Sequence, residues 1–200
     1  MTPVTTLHHQ PGFTLIEAMV TVAILAIVLS IGVPAMTAMI ENYRLTAVTN
    51  ELLTSIQFAR TEAIRQRNRV TICSRAANGD VCNNATGWSS GWLIYLDNAP
   101  AANPTANPNG LLRITSNLNT NNLSISGSSH AASYLSFSGN GGNISWNGSP
   151  ATITLTICST STALDSGNRA REILVNAVGR AYSSKVAGFS TNCTRQQAKQ

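Results

Sequence analysis

Residues 18–40 carry no charged side chain, yet the residue just before that run is Glu17. As an α-helix these 23 residues would be about 34 Å long, enough for the hydrocarbon core of a bilayer. A secretory signal peptide explains the run poorly. The leader Met1–Gly12 has no Lys or Arg, the apolar run is too long for an h-region, and no small-x-small cleavage site follows it well placed. A plain membrane anchor leaves Glu17 unexplained. A carboxylate deep in a spanning helix costs about 2–3 kcal/mol on insertion scales, so such a group ordinarily has a partner and a task.

The helical pattern continues beyond the apolar run. Leu45, Val48, Leu52, Ile56, Ala59 and Ala63 recur every three or four residues, with Glu51, Gln57, Arg60 and Arg65 opposite them. No Pro or Gly interrupts residues 35–67. The spacing predicts one helix from Phe13 to about Arg67, roughly 80 Å long. Its first half is apolar all round, and its second half is a stripe suited to packing on a sheet. Arg60, Arg65, Arg67, Arg69 and Arg75 cluster near its end. They read first as cations favoured at a helix C-terminus, and secondly as a nucleic-acid or partner surface.

After Asn68 the period changes. RVTICSR, GWLIYLD, LLRITS, NLSIS, YLSFSG, NISW, ATITLTICS and REILVNAVGRAYSS read as short strands separated by Gly-, Asn- and Pro-containing turns. A hairpin-like return is expected near Asn147-Gly148, and residues 97–110 form a low-complexity loop. Trp88, Trp92 and Trp146 read as core rather than as an aromatic surface. The chain divides into a leader (1–12), a membrane or filament-core helix (13–40), an amphipathic helix (41–68) and a β-rich domain (69–200).

The four cysteines, Cys73, Cys82, Cys158 and Cys193, show no CxxC spacing, which argues against zinc or a thioredoxin-like site. An even number beyond a membrane segment points to two disulfides in an oxidising compartment. Three pairings are open. Nearest-in-sequence pairing favours Cys73–Cys82 and Cys158–Cys193, with Asn78-Gly79 turning the first loop. Charged residues make up only 10% of the chain, whose net charge is +5. That balance permits anionic partners without requiring them.

The residues offer no catalytic set. His130 is the one histidine outside the leader, and the outer-domain acids are Glu41, Glu51, Glu62, Asp80, Asp97, Asp165 and Glu172. No cluster has metal-ligand spacing. SGNGGN lacks the strand and helix that flank a phosphate loop, and GSSHA is not a nucleophile elbow. The chain therefore reads as a structural and interaction protein with no cofactor and no metal, and not as an enzyme.

The stretch from Gly12 to Met36, GFTLIEAMVTVAILAIVLSIGVPAM, resembles the class III leader and N-terminal helix of type IV pilins and type II secretion pseudopilins. The resemblance implies cleavage after Gly12 by a prepilin peptidase, N-methylation of Phe13, a role for Glu17 in filament assembly, and a helix-bending Pro34. The basic leader usual in that family is missing here. FARTEAIRQRNRVTIC, GWLIYLDN, YLSFSGNGG and ILVNAVGRAYS resemble the GspH/FimT group in particular, most of all its FimT/FimU-type minor pilins. Residues 97–133 match poorly.

What this group implies is an α+β, type IV pilin-like fold: a long N-terminal helix packed against one sheet of a two-sheet antiparallel β-sandwich. The implied role is a minor pilin that helps start a type IV pilus near its tip. The alternatives are an H-type pseudopilin of type II secretion, or a DNA-binding minor pilin for DNA uptake. The implied partners are other minor pilins, the major pilin, the peptidase/methylase and the inner-membrane assembly platform. The implied place is the bacterial inner membrane, crossed once, with a periplasmic domain.

Some FimT-type members bind DNA through Gly-Arg-x-Arg. Here Gly179 and Arg180 match, and Tyr182 replaces the second Arg. Arg169, Arg171 and Lys185 add to a local charge of +4 over residues 165–200, which also hold Arg180, Arg195 and Lys199 against Asp165 and Glu172. Arg180 and Lys185 would meet phosphates while Tyr182 stacks on a base.

Overall fold

The computed structural model describes residues 12–77, 79–82, 87–97, 110–116, 121–128, 134–145 and 148–195. The leader before Gly12, Asn78, residues 98–109, His130, Trp146 and Asn147 lie outside these, and so do the expectations placed on them. The chain forms two compact units, Met1–Ala38 and Met39–Gln200.

One helix, α1, runs Leu15–Gln66. It starts two residues later than its periodicity implies, because Thr14 caps it. Thr14 Oγ1 accepts the Glu17 N–H at 3.3 Å and Thr14 O accepts the Ala18 N–H at 3.2 Å. In the first unit the described helix surface is apolar on every side: Phe13, Leu15, Ile16, Val22, Ile27 and Ile31 are all exposed. An 18-residue window reaches a mean hydropathy of 2.5 with none of it buried. A helix that is apolar all round suits lipid or a protein core and not water.

In the second unit the stripe read from the sequence is the buried one. Leu45, Leu52, Ala59 and Ala63 are 0% exposed. The helix ends in a Schellman motif: the Asn68 N–H reaches Ala63 O at 3.2 Å and the Arg67 N–H reaches Ile64 O at 3.3 Å. Arg67 takes the left-handed position with φ 49°, where glycine is usual.

Among the described residues nine strands follow: β1 Val70–Ser74, β2 Trp92–Leu96, β3 Leu111–Thr115, β4 Leu123–Gly127, β5 Tyr134–Phe137, β6 Asn143–Ile144, β7 Ile153–Ser159, β8 Ala170–Val175 and β9 Ala181–Val186. They form a five-stranded sheet ordered β3-β2-β1-β5-β6 and a four-stranded sheet ordered β4-β7-β8-β9. The strand pairs are antiparallel. The chain changes sheets between β6 and β7, so the return near Gly148 is not a full hairpin. Its arms are joined by the Ile144–Pro150 bridge and by hydrogen bonds from the Ser145 N–H to Ser149 O at 2.8 Å and from the Ala151 N–H to Asn143 O at 3.0 Å, and Pro150 has no N–H to extend a ladder.

One alternating set of side chains from each sheet faces the main core, and in β1 and β2 the other set is buried as well. Val70, Ile72, Trp92, Ile94, Leu135 and Phe137 line the first; Ile125, Leu155, Ile157, Ile173 and Val175 line the second. Trp88 and Trp92 are fully buried, as expected of core. Helix side chains bond to both sheets, where the sequence implied one. Glu51 pairs with Arg113 of β3 at 3.1 Å, and Asn42 Oδ1 accepts from Arg171 of β8 at 2.8 Å.

The disulfides are Cys73–Cys82 and Cys158–Cys193. Both lie on faces opposite the main core. Cys73 packs with Leu93, Tyr95 and Tyr134, and Cys158 packs with Ala170, Phe189 and Val186. Burial and the neighbouring Asp97 carboxylate push the Tyr95 hydroxyl well above its ordinary pKa.

Candidate assembly and binding surfaces

One tight turn recurs in the β-domain. At residues 138–142, 145–149, 176–180 and 190–194 the first N–H bonds to the fifth carbonyl, and the fourth N–H bonds back to the first carbonyl. The fourth residue is left-handed in each, and at 138–142, 176–180 and 190–194, where the central residues are described, it follows a type I turn. That residue is Gly141 (φ 81°), Gly148 (φ 83°), Gly179 (φ 80°) and Cys193 (φ 57°). Cys193 is the non-glycine case, and its side chain is committed to the disulfide.

Two of these turns meet on the helix. Arg60 Nε donates to Gly141 O at 3.0 Å, and its Nη2 donates to Val178 O at 3.2 Å. The Asn143 N–H donates to Ala177 O at 3.0 Å. A Cβ on Gly179 would sit 1.9 Å from Gly141 O and 2.8 Å from Arg60 Nε. Gly179 is therefore fixed by close approach as well as by its φ. The Gly179-Arg180 pair is first a structural joint, with Arg180 projecting from it into solvent. Beside the joint lies a cleft of about 410 Å³ lined by Gln57, Arg60, Thr61, Ile64, Gly179, Arg180 and Ala181.

The other cations expected to meet nucleic acid are elsewhere. Arg169 is 5% exposed and Arg171 is 6%. Arg169 gives its guanidinium to the carbonyls of Ser159, Ser161 and Leu164. Arg171 bonds to Ala170 O, Asn168 O and Asn42 Oδ1, and its burial lowers its pKa. Neither is available to a phosphate, which corrects the sequence expectation. Burial of a cation is tolerable only with such a full set of acceptors.

Tyr182 lies opposite Leu174 and Lys185 opposite Arg171. The two exposed side chains therefore leave β9 on opposite faces and do not form one stacking-plus-phosphate surface with Arg180. The arginines near the helix end are mostly paired, with Arg67 the exposed one that forms no ion pair among the described residues. Arg65 pairs with Glu62 at 2.7 Å, Arg69 with Asp97 at 3.0 Å and Arg75 with Asp80 at 2.8 Å. The hydrogen bonds from Arg65, then Gln66, hold the Glu62 carboxyl below its ordinary pKa.

At the other end, Phe13 is 84% exposed and Gly12 has open space around it. Thr14 and Glu17 have the spacing of a capping box, with the Thr14 half formed. The Glu17 carboxylate also lies in the first turn, where the helix dipole favours negative charge. Pro34 sits inside the helix. It supplies no N–H to Ser30 O, while its own carbonyl accepts from Thr37 Oγ1 at 2.8 Å. Among the described residues no group of His, Cys, Asp and Glu has the arrangement to hold a metal ion.

An N-terminal helix segment that is apolar apart from Glu17 and a few hydroxyls, joined to a helix-plus-two-sheet domain, defines the pilin-like class of membrane-anchored subunits. Residues 48–179 match the family of type II transport protein GspH, and residues 7–33 match the prokaryotic N-terminal methylation motif. The chain belongs to the GspH family of minor pilins and pseudopilins, structural subunits of type IV pili or type II secretion systems. Two crystal structures of the type IV minor pilin FimU from Pseudomonas aeruginosa share its fold. One aligns with TM-score 0.55 at 24% identity, covering 72% of this chain and 90% of that one. The other aligns with TM-score 0.51 at 24% identity, covering 70% and 91%. No curated protein sequence matches the chain.

Proposed function

We propose that the chain is a minor pilin that helps initiate a type IV pilus, at or near its tip. The observation that carries this is the exposed apolar helix with Glu17 in its first turn, joined to a GspH-family domain. In this reading a prepilin peptidase cuts after Gly12 on the cytoplasmic face of the inner membrane, and Phe13 becomes the N-methylated terminus. The domain faces the periplasm, where its two disulfides form.

Glu17 then has a physical role. A buried carboxylate is costly alone and favourable when matched to a cation. The Phe13 amine of a neighbouring subunit is a suitable match, so docking in register relieves the cost. Pro34 breaks the hydrogen-bond ladder where helices pack together. The subunit's partners are other minor pilins, the major pilin and the assembly platform.

The experiment is mass spectrometry of the chain recovered from sheared pili. A terminus at Phe13 with one added methyl, and four cysteines without free thiols, supports the proposal. A chain that still begins at Met1, or is absent from filaments, ends it.

The description of the matching family favours a second reading, an H-type pseudopilin of type II secretion. Deleting the gene separates the two. Loss of surface pili with normal export supports the first; loss of exported proteins with normal pili supports the second.

A further inference from the structure

The cleft beside the Arg60 joint has a chemistry of its own. Gln57, Thr61 and Ile64 form a row on the exposed side of α1, and the turn into β9 makes the facing wall. Two arginines line it, Arg60 and Arg180, and among the described residues no carboxylate does. Arg60 is half spent on the carbonyls of Gly141 and Val178, which orient it without cancelling its charge. Arg180 is exposed, and among the described residues it forms no ion pair. Six other arginines, Arg44, Arg65, Arg69, Arg75, Arg113 and Arg195, face acids, whereas Arg67 is exposed like Arg180.

We propose that this cleft receives a carboxylate side chain of a neighbouring pilin subunit, held by Arg180 and Arg60. The inference rests on the reading of the chain as a filament subunit. A guanidinium held in place, that of Arg60, beside the free one of Arg180 favours a carboxylate through charge-assisted, forked hydrogen bonds. The Gln57 amide adds a donor, and the exposed Ile64 offers an apolar wall to the acid's methylenes.

A nucleic-acid backbone fits less well. It needs a row of free cations spaced along a track. From Arg180 the next cation along β9 is Lys185, about 16 Å away in an extended strand. Arg169 and Arg171 are buried. A cleft of about 410 Å³ takes one or two side chains, not a strand of phosphates.

The test uses the full chain in its own host. Arg180→Lys places an amine at the cleft, and carbodiimide joins an amine only to a carboxylate touching it. Expected is a zero-length cross-link from position 180 to an Asp or Glu of another pilin in sheared filaments. Arg180→Glu is expected to lower incorporation about tenfold or more, the loss of a charged hydrogen bond plus repulsion.

If filaments contain the Arg180→Lys chain but position 180 joins no carboxylate, the inference fails while the subunit reading stands. If the chain never enters filaments, both fail. If the purified full chain in detergent instead shifts duplex DNA at low salt, and Arg180→Glu abolishes the shift, the cleft is a phosphate site and the inference is overturned.

Discussion

Arg60 Nε lies 3.0 Å from Gly141 O, a contact across 81 residues of sequence. The same guanidinium reaches Val178 O, so one helix side chain holds the ends of both sheets. Gly179→Ala would put a methyl 1.9 Å from Gly141 O in a backbone of φ 80°. Left-handed strain alone costs about 1 kcal/mol, and the clash adds to it. The expected outcome is a loss of 2 kcal/mol or more, at the ~2 kcal/mol scale of a named backbone defect, read by denaturant unfolding of the full chain in detergent. Unchanged stability would mean that the joint is loose.

The Cys158–Cys193 bridge closes a separation of 35 residues and Cys73–Cys82 one of 9. Loop entropy predicts about 4 kcal/mol for the first and about 2.5 kcal/mol for the second. Cys193→Ser is therefore expected to lower Tm more than Cys82→Ser does. Cys193 also holds a left-handed φ of 57°, so Cys158→Ser/Cys193→Gly should recover part of the loss. Equal effects of the two single replacements would contradict the loop argument.

Asp165 sits on a turn and accepts from the Asn168 side chain, the Asn168 N–H and the Gly167 N–H. Those bonds, the Asn168 side chain first, hold its carboxyl below the ordinary value. Its contribution is thus complete above the unfolded pKa of about 3.9 and fades as pH falls through the folded one. Asp165→Ala should lower Tm at pH 7, and the gap to the parent chain should narrow below about pH 4. A gap that widens on acidification would reverse the sign.

Glu17 has two physical roles that one substitution separates. Glutamine leaves the Thr14 cap on the residue-17 N–H in place and can complete the capping box as glutamate can, but carries no charge. Glu17→Gln is therefore expected to keep the helix and still fail to enter filaments, and Glu17→Ala is expected to fail as well. Counting subunits in sheared filaments checks it. Normal incorporation of Glu17→Gln would reduce Glu17 to a helix cap.

Much of the architecture is written locally. The stripe Leu45–Ala63 and the alternation in β7 and β8 are short-range patterns that became buried faces, while β1 is buried on both faces. Arg171 could have been placed by the same rule: it shares parity with Ile173 and Val175, so period two puts it on the apolar side. A cluster of cations counted by charge hides that. The Arg60 joint has no local trace, because its acceptors are main-chain carbonyls 81 and 118 residues away. A residue's identity says nothing about which distant carbonyl it will meet. The switch of sheets after β6 is hidden for a similar reason, since strand signals do not name partners.

Strand β9 is the last in its sheet, and its outward fringe is Tyr182, Ser183, Ser184 and Lys185, all exposed. Hydroxyls and an ammonium make a poor template for accretion of further strands. Crowded copies are thus discouraged from zipping together sideways, and polymer growth is left to surfaces that can be matched one subunit at a time.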